Sequence, residues 1–159
     1  MWVTRHWHGD KSFITIKDDG CGMNSQEIID AMRPGSHSPL EERSKTDLGR
    51  FGLGLKTASF SQCRKLTVLS KKSGYHSAYW TWDLDYVAQT NEWTLLQWIP
   101  EYLDESVDDI EHGTLVIWSD LDKVVRKGTS ENDINAKEKF SNSLDLSLIH
   151  ISEPTRPLY

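Results

Sequence analysis

The sequence predicts an α/β fold, a two-layer sandwich in which a mixed and mostly antiparallel sheet carries helices on one face. Three observations favour this fold: an alternating hairpin-like start, two helix patterns that each follow a glycine cluster, and a return to strand periodicity from residue 65 onward. With 159 residues, of which 37% are hydrophobic, the chain has the size of one domain and can bury a sizeable core.

The composition excludes several classes of protein. The chain is 26% charged with a mean hydropathy of −0.56, which is typical of a soluble globular domain, and its longest apolar run is too short to cross a bilayer. A net charge of −6 argues against nucleic acid as a partner of this chain, because the chain has no excess of positive charge with which to hold a polyanion. Cys21 and Cys63 lack a metal-site spacing and predict free thiols in a cytoplasmic protein.

The first element is a predicted hairpin. Residues 2–7 and 12–17 alternate as strands do, around a turn. If the second strand persists, period two places Asp18 on the same face as Ile14 and Ile16. A carboxylate on an apolar face is costly without a partner, so Asp18 is the first candidate functional residue.

A helix follows, because Asn24 with Glu27 three residues later predicts a capping box. Residues 35–48 are polar and predict a mobile loop that could act as a lid. A second helix is predicted over residues 55–62.

The rest of the chain predicts a meander and a last helix. Trp80 and Trp82 fall on one strand face, which favours a core position over a binding platform. A polar helix is predicted over residues 129–140, with Ser130 and Asp133 as its capping box. The candidate strands cover residues 65–70, 75–83, 93–99 and 112–118.

Two glycine clusters carry the chemistry: residues 18–23 (DDGCGM) and residues 49–54 (GRFGLG). Such glycines allow close approach of the backbone to a ligand, and a following helix offers free N–H groups. A dinucleotide fingerprint is excluded because its glycine spacing is reversed here. A P-loop is disfavoured because Leu55 separates Gly54 from Lys56 and no hydrophobic strand precedes the cluster.

The two clusters in this order, with a helix after each and antiparallel strands beyond, resemble the GHKL ATPase superfamily, which includes gyrase B, heat-shock chaperones, histidine kinases and MutL mismatch-repair proteins. DDGCGM with GRFGLGLKTAS is most similar to the chaperone-like and MORC-like branch. His112-Gly113-Thr114-Leu115 agrees with a Gly-Thr pair of that family. The resemblance covers about residues 1–120 and implies the Bergerat type of two-layer sandwich.

The resemblance implies an ATP site. Asp18 would accept a hydrogen bond from the exocyclic amine of adenine, Gly22 and Met23 would line the base, and Thr114 would bond to the base or to a water beside Asp18. The second cluster would hold the phosphates. The ATP-binding residues implied in this way are Asp18, Gly20, Gly22, Met23, Gly49, Arg50, Phe51, Gly52, Leu53, Gly54, Leu55, Lys56 and Thr114.

Two of these residues keep an alternative explanation. Asp18 could instead be a turn-forming residue that caps the next segment. Lys56 could be a helix lysine whose ammonium extends to water along an apolar surface, with no role toward a phosphate.

The first motif of the family, a helix with E-x-x-x-N, lies before the strand with which this sequence begins. Its Glu positions the attacking water and its Asn ligates magnesium, so we expect residues 1–147 to be a partial domain without a catalytic residue or metal ligand of its own. An E-x-x-x-N also occurs at Glu138 and Asn142, where coincidence is the favoured explanation. Residues 148–159 show no periodicity and predict a non-native tail.

The resemblance therefore implies ATP, with Mg²⁺, as the ligand. In a full-length protein, ATP would drive closure and homodimerisation, and slow hydrolysis would reset the switch. Two alternatives remain open: a regulatory module that binds nucleotide without hydrolysing it, and a histidine-kinase catalytic domain.

Overall fold

The computed structural model describes residues 1–33, 54–106 and 110–142. The predicted loop at 35–48 and the predicted tail at 148–159 lie outside these residues. In chain order the elements are β1 (Trp2–His6), β2 (Phe13–Asp18), α1 (Ser25–Met32), α2 (Gly54–Phe60), β3 (Lys65–Lys71), β4 (Ala78–Asp83), α3 (Leu84–Thr90), a 3-10 helix (Glu101–Ser106), β5 (Gly113–Ser119) and α4 (residues 134–142).

The strands form one sheet in the order β1-β2-β5-β3-β4, and every strand pair among the described residues is antiparallel. The last strand, β5, lies in the centre between β2 and β3 and is buried along its whole length. The predicted α/β fold is therefore confirmed. Its central strand is the last strand of the described sequence, and the ends of β2, β5 and β3 meet at one edge of the fold.

Apolar side chains cover both faces of the sheet, because consecutive apolar residues of a strand point to opposite faces. On one face Ile14, Leu66 and Trp118 form a core with Ile28 of α1 and Phe140 of α4. The indole Nε1 of Trp118 also donates to the hydroxyl of Ser59 in α2 at 2.8 Å, so three helices lie on this face. We call it the helix face.

The opposite face carries a smaller core. Phe13, Leu69 and Ile117 pack there with Leu103 of the 3-10 helix and Ile110. Because residues of one strand alternate between these two cores, β5 contributes Val116 and Trp118 to the first and Leu115 and Ile117 to the second.

The predicted start of α1 is confirmed and that of α4 is partly wrong. Asn24 Oδ1 accepts from the Glu27 backbone N–H at 2.9 Å, and Glu27 Oε2 accepts from the Asn24 N–H at 2.8 Å, which completes the capping box. The last helix begins at residue 134, later than predicted, because Asp133 rather than Ser130 caps it: Asp133 Oδ1 accepts from the Ala136 N–H at 2.9 Å.

The predicted strand at 93–99 is wrong. Only Leu96 pairs with β4 there, through its two backbone hydrogen bonds to Thr81 at 2.8 Å, so the segment makes a single bridge along the sheet edge. The sequence interpretation also missed α3. Asp83 ends β4 and caps this helix, with Oδ1 accepting from the N–H groups of Asp85 and Tyr86. Within the described ranges, none of the helices has the length and apolar character needed to cross a membrane.

Candidate functional site

A row of polar side chains crosses the helix face where β2, β5 and β3 meet. Asp18 is paired with Thr114, and Thr114 is paired with Ser70 on its other side. Directly paired residues of antiparallel strands present their side chains on the same face, and Thr114 shares its face with Val116. The row therefore lies at the end of the core that carries the helices. We call Asp18, Thr114 and Ser70 the polar row.

Asp18 lies where alternation predicts, because β2 persists to Asp18 on the face of Ile14 and Ile16. Its carboxylate, however, is exposed, so the expectation of a costly burial is wrong. Oδ1 accepts the Gly20 backbone N–H at 2.9 Å, which is the turn-forming role. Oδ2 accepts no hydrogen bond from the residues that the structure describes, which leaves one carboxylate oxygen open to a donor.

The loop between β2 and α1 is fixed to the sheet at both ends. The His112 Nδ1 donates to the Gly20 carbonyl at 3.1 Å, just before β5 begins. At the other end, the Met23 backbone N–H donates to the Ser70 hydroxyl at 2.8 Å. The backbone of Gly20 and Met23, both predicted to bind nucleotide, is thus held beside the polar row.

Two glycines allow this loop to lie against the strands. Gly22 has φ of +69°, and a Cβ there would approach the Lys71 carbonyl oxygen to 1.8 Å. Gly113 has φ of +112°, and its Cβ would approach the Asp18 carbonyl oxygen to 2.3 Å. Both positions therefore require glycine for backbone packing alone, because a side chain would push the loop or β5 away from its neighbour.

Ser70 is the member of the polar row that the sequence interpretation missed. It is fully buried, with its Oγ 2.8 Å from the Gly113 carbonyl oxygen and 2.9 Å from Thr114 Oγ1. A signal was present in the sequence: alternation from Leu66 and Val68 places a serine at an apolar position. A buried hydroxyl at such a position needs partners, and here it joins the loop to β5.

Of the two predictions for Lys56 in the first turn of α2, the structure contradicts the one in which its ammonium extends to water, and the phosphate contact stays a prediction. The Lys56 side chain is buried, and Nζ donates to the carbonyl oxygen of Arg33, the residue that caps the end of α1. It therefore does not extend to water, and burial lowers the pKa of its ammonium group. The contact ties the start of α2 to the end of α1.

The structure describes only part of the second glycine cluster. Gly54 and Leu55 form the start of α2, and the other five residues of the cluster lie outside the described residues: Gly49, Arg50, Phe51, Gly52 and Leu53. Their predicted contact with phosphates remains a prediction.

An ion pair lies next to the polar row, where α1 begins beside the end of β3. Lys72 Nζ contacts Glu27 Oε1 at 2.5 Å. The hydrogen bond from Lys72, followed by that from the Asn24 N–H, lowers the pKa of Glu27, and the same pair raises the pKa of Lys72. The Glu27 carboxylate is thus engaged in a cap and an ion pair.

The described residues show no cluster of metal ligands. They contain no group of three or more His, Cys, Asp or Glu side chains that could hold a metal. Glu138 and Asn142 are exposed on α4, whereas Phe140 of the same helix is buried in the core. Since residues two apart on a helix point about 200° apart, the E-x-x-x-N pair faces away from the sheet.

Asp19 follows Asp18 directly at the end of β2. It lines an open cleft of about 510 Å³ together with Asp18 and with Trp2 and Lys17, a cross-strand pair of β1 and β2. The prediction that Asp19 points away from Asp18 therefore stays a prediction.

Residues 3–114 match the model of a family described as histidine kinase-, DNA gyrase B-, and HSP90-like ATPase. The matched range contains the whole polar row and both glycine clusters. The chain belongs to this family. The superfamily inferred from the two glycine clusters is therefore confirmed, and the antiparallel sheet with helices on one face is consistent with its fold.

Individual relatives come from the chaperone, MORC and MutL branches. The chaperone protein HtpG of Rickettsia typhi is 36% identical over 86 residues, 48% of this chain and 14% of that protein. The ATPase morc-1 of Caenorhabditis elegans is 35% identical over 69 residues, 43% of this chain and 8% of that protein. The DNA mismatch repair protein MutL of Rickettsia akari is 34% identical over 70 residues, 43% of this chain and 12% of that protein. The chain thus spans a small part of each of these relatives.

Proposed function

We propose that this chain binds ATP at the polar row, with the adenine base beside Asp18 and Thr114. The observation that carries the proposal is the open Oδ2 of Asp18 next to the Thr114 hydroxyl, at the edge of the core that the helices cover. Membership of an ATPase family supports the same ligand.

The chemistry of the row favours adenine over guanine. A carboxylate oxygen only accepts hydrogen bonds, and the 6-amino group of adenine donates them. Guanine presents a carbonyl oxygen at the same position, and two acceptors repel each other. The loop backbone at Gly22 and the Met23 side chain would form the wall of the base pocket, since the Ser70 contact holds Met23 close to the row.

The phosphates are assigned to the second glycine cluster and the start of α2. Backbone N–H groups of residues 49–55 are the expected donors, as in other glycine loops before a helix. Lys56 would need to leave the Arg33 carbonyl to reach a phosphate, so we propose it as a contact made only after nucleotide binds.

We propose that residues 1–147 bind nucleotide with little turnover. Hydrolysis needs a group that positions water and a metal that offsets negative charge, and the described residues offer no metal cluster. In a longer protein, Mg²⁺ and a further helix would complete the site, and ATP would drive a conformational switch and homodimerisation. Two unpaired cysteines, Cys21 and Cys63, support a cytoplasmic setting.

Calorimetric titration of the 159-residue chain with ATP and with GTP tests the proposal. We expect ATP to bind about tenfold to a hundredfold more tightly, the range given by one hydrogen bond to a charged group. Equal affinity for the two nucleotides would show that Asp18 does not recognise the base.

A further inference from the structure

We propose that Ser70 is a positioning residue for base recognition: it fixes the Thr114 hydroxyl as a hydrogen-bond acceptor, so that the site presents two acceptors to the purine. The inference rests on the proposed function, because it specifies how the same site selects its base. Ser70 itself is fully buried behind Thr114 and acts through it.

The proton arrangement follows from the three neighbours of Ser70 Oγ. The Met23 N–H at 2.8 Å can only donate, and the Gly113 carbonyl at 2.8 Å can only accept. A serine hydroxyl has one proton and two lone pairs. Its proton therefore goes to Gly113, and one lone pair receives the Met23 proton.

The direction of the hydrogen bond to the remaining neighbour, Thr114, is then determined. Thr114 Oγ1 lies 2.9 Å from Ser70 Oγ, and it can bond there only by donating its proton into the second lone pair. All three contacts are satisfied together in this arrangement alone. The Thr114 proton points toward Ser70, and the lone pairs of Thr114 are left for a ligand.

The arrangement produces a pair of acceptors on adjacent strands. Thr114 Oγ1 lies beside the Asp18 carboxylate, whose Oδ2 accepts nothing from the described residues, in the register that pairs the two. Such a pair suits an amino group, which carries two protons, or a water that donates to both. It disfavours a purine with a carbonyl oxygen at the same position. Without Ser70, the Thr114 hydroxyl is free to rotate and donate to such a carbonyl.

The test compares ATP with inosine triphosphate, which presents a carbonyl oxygen at position 6 in place of the amino group and a protonated N1 beside it. We expect Ser70→Ala to reduce the ratio of the two affinities by about threefold to tenfold, the range of one neutral hydrogen bond. If the role of Ser70 were purely structural, Ser70→Ala would weaken the binding of both nucleotides equally. An unchanged ratio of the two affinities would therefore overturn the inference.

Ser12→Ala is the matched control. Ser12 is as buried as Ser70, accepts the His8 N–H at 2.8 Å and donates to the Gly9 carbonyl at 2.6 Å, at the opposite end of β2. The Ser12→Ala variant should lose comparable stability and keep the parent's ratio of affinities for ATP and inosine triphosphate. A ratio that falls equally in Ser12→Ala and Ser70→Ala would attribute the effect to general loosening and overturn the inference.

Thr114→Val supplies a second route if Ser70→Ala folds poorly. It keeps the shape of the side chain and removes the acceptor, so the ratio should fall as in Ser70→Ala, and adding Ser70→Ala to it should cause no further fall. A ratio that Thr114→Val leaves at the parent value would overturn the inference.

Titration of the parent chain distinguishes a failure of the proposed function from a failure of the role assigned to Ser70. A parent that binds both nucleotides equally, or neither, contradicts the proposed function itself. A parent that prefers ATP, together with Ser70→Ala and Thr114→Val variants that keep this preference, contradicts only the role of Ser70.

Discussion

At the scale of single residues, Asp18 shows what strand alternation can and cannot predict. Period two placed its side chain on the correct face, because β2 continues regularly from Ile14 to Asp18. It could not predict exposure, which depends on what covers the strand end. Nor could it distinguish a ligand-binding role from a turn-forming role, and Asp18 Oδ1 performs the second while Oδ2 stays open to the first.

Glycines at residues 22 and 74 provide a prediction about backbone packing. Both have positive φ, +69° and +83°, but a Cβ at Gly22 would meet the Lys71 carbonyl at 1.8 Å, whereas nothing lies within 4 Å of one at Gly74. We expect Gly74→Ala to cost about 1–2 kcal/mol of unfolding free energy from the left-handed conformation alone. Gly22→Ala should cost clearly more, because the loop must also move off β3.

Chemical denaturation of the two glycine variants measures both costs. Any gain from a stiffer unfolded chain is the same for each Gly→Ala change, so it cancels in the comparison. Equal losses would mean that the loop moves away from Lys71 without cost, and its close packing would then not explain the glycine.

At the scale of elements, local signals predicted the start of α1 and missed the start of α3. Asn24 and Glu27 form a reciprocal cap that is visible in four residues of sequence. Asp83 also caps a helix, but it is at the same time the last residue of β4, and the strand pattern of Trp80 and Trp82 concealed it. The strand prediction for residues 93–99 was wrong for a different reason. The aromatic and apolar residues of this segment pack on β4 and on the second core without continuing the hydrogen-bond ladder.

The ion pair at the start of α1 predicts a pH dependence of stability. The lowered pKa of Glu27 means that its contribution is complete above the ordinary value of 4.5 and is lost as the pH falls through the lower folded-state pKa. Glu27→Gln keeps an N3 side chain that suits a capping box but removes the charge that pairs with Lys72. We expect the parent to exceed this variant in unfolding free energy at pH 7, and the gap to close in acid below 4.5.

Denaturation of parent and Glu27→Gln between pH 7 and pH 3 measures that gap. Glu92→Gln is the control, because Glu92 is exposed and makes no ion pair with the described residues. A gap that stays constant with pH would show that Lys72 does not stabilise the charged form of Glu27.

At the scale of the whole molecule, the order of the strands was beyond the reach of local patterns. The candidate strands were correct for β1, β2, β3 and β5 to within two residues, and β4 began three residues later than predicted. Their order places β5 between β2 and β3, a long-range pairing that creates the polar row. Thr114 was predicted from a family resemblance, whereas Ser70 becomes visible only when its partner strand is known.

The whole chain should show little or no ATP turnover. Groups that bind adenine stabilise ground state and transition state alike, and this does not accelerate hydrolysis. A phosphate-release assay with magnesium checks the expectation. Robust turnover that disappears in Asp18→Asn would contradict it, and Glu138→Gln would then test whether α4 supplies a carboxylate that positions water.

The central claim is that Asp18 recognises the adenine amine, and calorimetric titration of ATP into parent, Asp18→Asn and Asp19→Asn tests it most directly. Asp18→Asn keeps the Oδ1 contact to Gly20 but turns an amide toward the base in place of the open oxygen, so affinity should fall about tenfold to a hundredfold. Asp19→Asn removes the neighbouring charge and should bind like the parent, because strand alternation predicts that the Asp19 side chain points away from that of Asp18. Equal affinities for parent and Asp18→Asn, or equal losses in both variants, would contradict the account.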